Sequence, residues 1–233
     1  MVVTTVTDLV APTKGSPMKI ARLAARVAVG TMATVLATAA VAVPAQASGK
    51  QPGTRSLAEV FTRDTGGFDR DPRDFDVLTA AVLAVLEAKP NSPVKVLADG
   101  TVALTAFVPT DAAFRELVRD LTHAHRLPSE QAAFTAVAGL GIDTVENVLL
   151  YHVVPGATID RRAALKADGA ELTTALGTTV EVDVLRWRHF RQVRLVDADP
   201  SDRDAQVVAY DINRGNRQIA HAVDRVLRPI DLH

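Results

Sequence analysis

The chain contains no cysteine, and that absence excludes a disulfide scaffold, a thiolate zinc site, a cysteine nucleophile and lipid attachment through a thiol. Aromatic residues are also scarce, at 4%, so any core must be built mainly from Ala, Val and Leu. Charge of one sign is lacking as well. A net charge of −1 does not supply the positive excess with which a nucleic-acid binder neutralises phosphates. Apolar residues are plentiful: 48% of the 233 residues are hydrophobic, enough for one sizeable domain held by packing alone.

Long apolar runs are rare. The longest charge-free one, residues 27–43, follows Lys19, Arg22 and Arg26 and is broken by Pro44. Ala45-Gln46-Ala47 then places small side chains at the A-x-A spacing of a peptidase site. This order predicts a signal peptide over residues 1–47, with Met18 as an alternative start. A membrane anchor would be longer and richer in Leu. Of the 26 basic and 27 acidic residues, four and one fall within 1–47, which leaves 22 and 26 and a net charge of −4 for the exported remainder. No second long apolar segment or polybasic tail follows, so no stable membrane span is expected after cleavage.

Residues 48–54 are polar and carry Gly and Pro, which predicts a flexible lead-in. One domain is then expected over 55–231. A short helix is predicted from Leu57, Val60 and Phe61, and residues 65–73 read as a loop. The stripe of Leu78, Ala81, Val82, Val85 and Leu86 predicts a helix over 76–89, capped by Asp74 or Asp76 and stopped by Pro90. Strands are expected over 95–97 and 101–108 around an Asp99-Gly100 turn. Thr110 is placed to cap the next helix, with Asp111 in its first turn and Phe114, Leu117, Val118 and Leu121 along one face. Helices follow at 129–137 and from Asp143, where Asp143-x-x-Glu146 has the form of a capping box. Apart from a short helix near 161–167, the remainder alternates as strands, most clearly at Val180, Val182 and Val184. Helices first and antiparallel strands after predict an α+β domain.

Three stretches carry a family resemblance: LTAFVPTDAAF (104–114), NVLLYHVVPG (147–156) and IAHAVDRVLRP (219–229). They resemble the signatures of the fasciclin domain family. The resemblance implies a β-sandwich or wedge of about seven strands with helices packed on its side and edge. It further implies export and non-covalent binding at a cell surface or in the extracellular space, with an envelope or matrix protein as partner, and no enzymatic activity. A cell-wall polymer is the candidate partner if the basic stretch 185–194 binds, and no cofactor is expected. Thr110, Asp111, Phe114, His152, Pro155 and Gly156 are its structural signature positions. Two places depart from the pattern: 185–194, basic and aromatic where the family has a short turn, and the long segment 123–144.

Tyr151 and His152 are partner-contact candidates by this resemblance. His152 also lies on the apolar face of its helix, where a buried imidazole needs a hydrogen-bond partner, and Asp111 or Thr110 would supply one. A hydrolase reading takes His152 as base, but no GxSxG elbow is present. His123 and His125 project together only from a strand, and no third zinc ligand is fixed by spacing. Asp197, Asp199, Asp202 and Asp204 lack EF-hand spacing and read as a solvated turn, so no metal is assigned. Arg186, Arg188, Arg191 and Arg194 interleave with Trp187, His189 and Phe190. Such a stretch is either a polyanion- or sugar-binding rim or a hairpin whose Arg stems cover apolar surface. A carrier of a small apolar or carbohydrate ligand is the alternative to an adhesion module, and a deep pocket would favour it.

Overall fold

A computed structural model describes residues 51–64, 66–188 and 190–230. The expected signal peptide, residues 48–50 of the lead-in and His189 lie outside the described residues. Seven strands form one sheet in the order β2-β1-β7-β6-β5-β4-β3: β1 Leu104–Pro109, β2 Val153–Pro155, β3 Ala170–Thr173, β4 Thr179–Trp187, β5 Phe190–Val196, β6 Ala205–Ile212 and β7 Gln218–Val223. Only β1 and β7 are parallel, and the other neighbours are antiparallel. The ends of the sheet curl towards each other. Ala175, just past β3, donates its N–H to the Val153 carbonyl of β2 at 2.7 Å. This is the α+β domain that the sequence pattern predicts, in the seven-stranded wedge form that the family resemblance implies.

The helices are α1 Leu57–Phe61, α2 Asp76–Ala88, α3 Asp111–Thr122, α4 Glu130–Gly139, α5 Ile142–Tyr151 and α6 Arg161–Ala164. Strands β1 and β7 are buried along their whole length, with apolar groups on both faces. One face, with Leu104, Ala106, Val108, Ala220 and Ala222, packs against α2, α3 and α5. Phe107 and Val223 instead join Val180, Val182, Val184, Val193 and Leu195 in a second core between the curled ends. The alternation in β4 buries its valines and turns Glu181 outward.

Several local expectations are corrected. Residues 93–98 form a 3₁₀ turn, because Pro93 cannot donate to a ladder and Ser92 caps Val94. Gly100 is required there by close approach: a Cβ would lie 1.8 Å from the Thr54 carbonyl oxygen. The described part of the lead-in is held at Gly53, which exchanges backbone hydrogen bonds with Gly215 and Arg217. Neither Asp74 nor Asp76 caps α2, whose N-cap residue is Phe75. The capping box at Asp143 does not form either. Gly141 is the N-cap of α5, and Asp143 and Glu146 both pair with Lys89.

Among the described residues no single helix is long and apolar enough to cross a membrane.

Candidate functional site

Thr110 accepts from the Ala113 N–H as the N-cap of α3. Asp111, fully buried, supplies the cap that α2 lacks: its carboxylate accepts from the N–H groups of Asp76 at 3.3 Å and Val77 at 3.0 Å. Burial raises the Asp111 carboxyl well above the ordinary carboxylate range, and a hydrogen bond to Asp74 adds to this. Phe114 packs into the helical core. Pro155 and Gly156 are exposed. Gly156 takes φ +83°, open to glycine at no steric cost, and donates to the Ala103 carbonyl as the chain leaves β2.

His152 does not meet Asp111 or Thr110. Its Nε2 accepts from the Leu227 N–H at 2.9 Å, so Nδ1 carries the proton and donates to the Val148 carbonyl at 2.7 Å. Both nitrogens are taken by backbone, which removes the lone pair a general base would use. Burial lowers the imidazole pKa to about 4. The two signatures do meet, but through backbone: Phe107 donates its N–H to the His152 carbonyl at 2.9 Å. Tyr151 is fully buried, with its hydroxyl donating to the Thr179 carbonyl at 3.1 Å. Neither side chain presents itself to a partner, so the expected contact role for this pair is corrected to a core role.

The basic and aromatic stretch is the outer end of the β4–β5 hairpin, where Trp187 pairs with Phe190. Arg188 enters the tight connection at φ +52°. The four arginines divide into two kinds. Arg186 pairs with Asp168 at 3.1 Å, and Arg194 pairs with Asp183 and Asp204. Among the described residues, Arg188 and Arg191 have no carboxylate within ion-pair distance. Trp187 is 76% exposed and Phe190 61% exposed. A groove beside Phe190 is lined by Arg161, Arg188 and Arg191, and it continues past Tyr210 to Arg214. Arg161 stacks over the Tyr210 ring, 5.1 Å from its centroid. The fold thus recruits Arg161 and Arg214 from α6 and the β6–β7 turn, which no local pattern joins to the hairpin.

The acidic stretch is a buried anchor, not a solvated turn. Asp199 is 2% exposed and pairs at 3.1 Å with Arg228, itself 2% exposed. Asp202 lies 3.2 Å from the same guanidinium, and Asp197 accepts from the Arg228 N–H. Asp204 instead faces Arg194. His123 and His125 are exposed at the end of α3 and belong to no metal-competent cluster among the described residues.

An apolar cleft of about 420 Å³ opens between α3, α5 and residues 226–230, with Phe114, Leu117, Leu121, Val148, Leu176 and Ile230 among its lining. No signature motif advertises it, because its walls are ordinary core residues left partly uncovered.

Comparison with known proteins adds three findings. The model of the fasciclin domain matches residues 78–229. No curated protein matches. Among solved structures, the chain is similar to a FAS1 domain pair from the insect cell adhesion molecule fasciclin I, with 14% identity and a TM-score of 0.41. The match covers 63% of this chain and 45% of that one, so the chain spans less than half the length of that relative.

Proposed function

The chain belongs to the fasciclin domain family, and from that premise we propose that it is a non-catalytic binding module acting outside the cell, at the envelope surface or in the surrounding matrix. Its ligand is an anionic polymer of the envelope, bound by the arginine–aromatic end of the β4–β5 hairpin. Export is supported by the signal-like order of residues 1–47 and suits a chain without thiols.

The observation that carries the binding surface is the exposure of Trp187 and Phe190 in a chain with few aromatics. Arg188 and Arg191 flank them without carboxylate partners among the described residues. Exposed rings give stacking area at low entropic cost, and unpaired guanidinium groups match phosphate or carboxylate geometry bidentately. Arg186 and Arg194, already paired, hold the hairpin rather than the ligand.

The test is retention of the chain on immobilised phosphate-bearing cell-wall polymer at increasing salt. Arg188→Gln with Arg191→Gln, and separately Trp187→Ala with Phe190→Ala, are expected to weaken retention by roughly tenfold or more, with an unchanged thermal midpoint. Full retention by both variants would remove the hairpin as the site.

The apolar cleft favours a second reading, a carrier of a small apolar ligand. An apolar molecule in an organic extract of the purified chain, identified by mass spectrometry, would support the carrier over the polymer binder.

A further inference from the structure

Residues 64–76 contain five aspartates: Asp64, Asp69, Asp71, Asp74 and Asp76. The fold lays this loop across the first turns of α2 and α4. Ring contact between Phe68 and Phe134, with centroids 5.4 Å apart, fixes its middle. Hydrogen bonds from the N–H groups of Asp111 to the Asp74 carbonyl and of Ala112 to the Pro72 carbonyl fix its end.

The result is a converging set of carboxylates. Asp69, Asp76 and Glu130 each bring one oxygen to within 4.8 Å of the others, and Asp64, Asp74 and Asp76 do the same. Asp76 belongs to both groups. Glu130 is 2% exposed and Asp76 9% exposed. Yet Oε2 of Glu130, Oδ2 of Asp76 and Oδ1 of Asp74 are screened from solvent and meet no hydrogen-bond donor. Ion pairs among the described residues engage other carboxylates throughout.

Buried carboxylate oxygens with no donor are costly, and several converging on one region repel each other as well. The dipoles of α2 and α4 favour Asp76 and Glu130 in their first turns, but no donor meets these three atoms, whereas the oxygens of Asp111 meet backbone N–H groups. Burial, with neighbouring carboxylates adding to it, raises the pKa values of Asp76 and Glu130.

We propose that Asp69, Asp76 and Glu130, closed over by Asp64 and Asp74, form a calcium-binding site. The donors are all oxygen, with no imidazole or thiolate, which selects a hard cation over zinc or copper. A cage of protein carboxylates suits calcium, which takes about six to eight oxygens in flexible geometry, better than magnesium, which keeps most of its waters and binds through about one or two carboxylates. The site joins the loop to α2 and α4 beside Asp111 at the start of α3. A cation there gives a cysteine-free domain a staple of the kind that small exported domains otherwise take from disulfides.

The test uses the full chain, stripped with chelator and dialysed, in calorimetric titrations with CaCl₂ and MgCl₂ and in thermal melts. A single calcium is expected per chain with a dissociation constant on the order of 10⁻⁴–10⁻³ M, and the thermal midpoint rises with calcium but little with magnesium. Glu130→Gln is expected to weaken calcium binding by about tenfold or more. Its midpoint in chelator should equal or exceed that of the parent chain, which shows that the variant folds. Absence of saturable calcium uptake up to about 10 mM would overturn the proposal. Uptake by Glu130→Gln and Asp76→Asn equal to that of the parent chain would overturn it too, because the ion would then sit elsewhere.

Discussion

His152 illustrates how a residue that resembles a functional one can serve the core. Its two backbone bonds clamp the end of α5 to the C-terminal segment at Leu227. Replacement by Ala leaves the Leu227 N–H and the Val148 carbonyl unpaired beside a cavity, and about 3 kcal/mol of stability should be lost in urea titration. The pH dependence has a definite sign. The imidazole pKa is lowered from 6.5 to about 4 in the folded chain, so its contribution is full above pH 6.5 and is lost as pH falls towards 4. This loss amounts to roughly 3 kcal/mol, and His152→Gln should lack it in melts taken across that range. Gln218 is a similar case that no sequence signal revealed. Fully buried, it donates to the carbonyls of Val96 and Asp99 and accepts from the Leu57 N–H, tying α1 and the 3₁₀ turn to β7.

At the scale of elements, the departures from prediction share one cause: a partner remote in sequence changed what a segment needed. The first turn of α2 carries its own acidic residues, yet its free N–H groups are met by Asp111 from α3. The aspartates after β5 have the composition of a solvated turn, yet they close on Arg228, some thirty residues later, and fasten the C-terminal segment to the β5–β6 connection. That network predicts a large effect. Arg228→Met should cost about 3–5 kcal/mol in chemical denaturation, because Asp199 and Asp202 would stay buried without their cation. Part of that cost should return when Asp199→Asn is added, which separates loss of pairing from loss of packing. The β4–β5 hairpin is the opposite case. Its alternation and its basic, aromatic end were legible at once, since both depend on neighbours within the hairpin itself.

For the whole molecule, β1 and β7 matter most, because each contributes to both cores. Neither core can lose its packing without exposing the strand it shares with the other. Thermal unfolding of the 51–230 region is therefore expected as one transition, with calorimetric and van't Hoff enthalpies equal. Two resolved transitions would mean that the helical and strand-rich halves separate independently.

The sequence by itself determined the order of the helices, the strand alternation, the α3 cap at Thr110 and the family, through motifs that are local and contiguous. These follow from backbone propensity, side-chain period and short-range hydrogen bonding, which act over a few residues. The tertiary structure alone decided that Tyr151 and His152 are core, that among the described residues Arg188 and Arg191 have no carboxylate partner while Arg186 and Arg194 do, and that Asp76 and Glu130 bring oxygens within 4.8 Å of each other. Burial and charge pairing are properties of neighbours in space, and the chain brings those neighbours together from positions tens of residues apart.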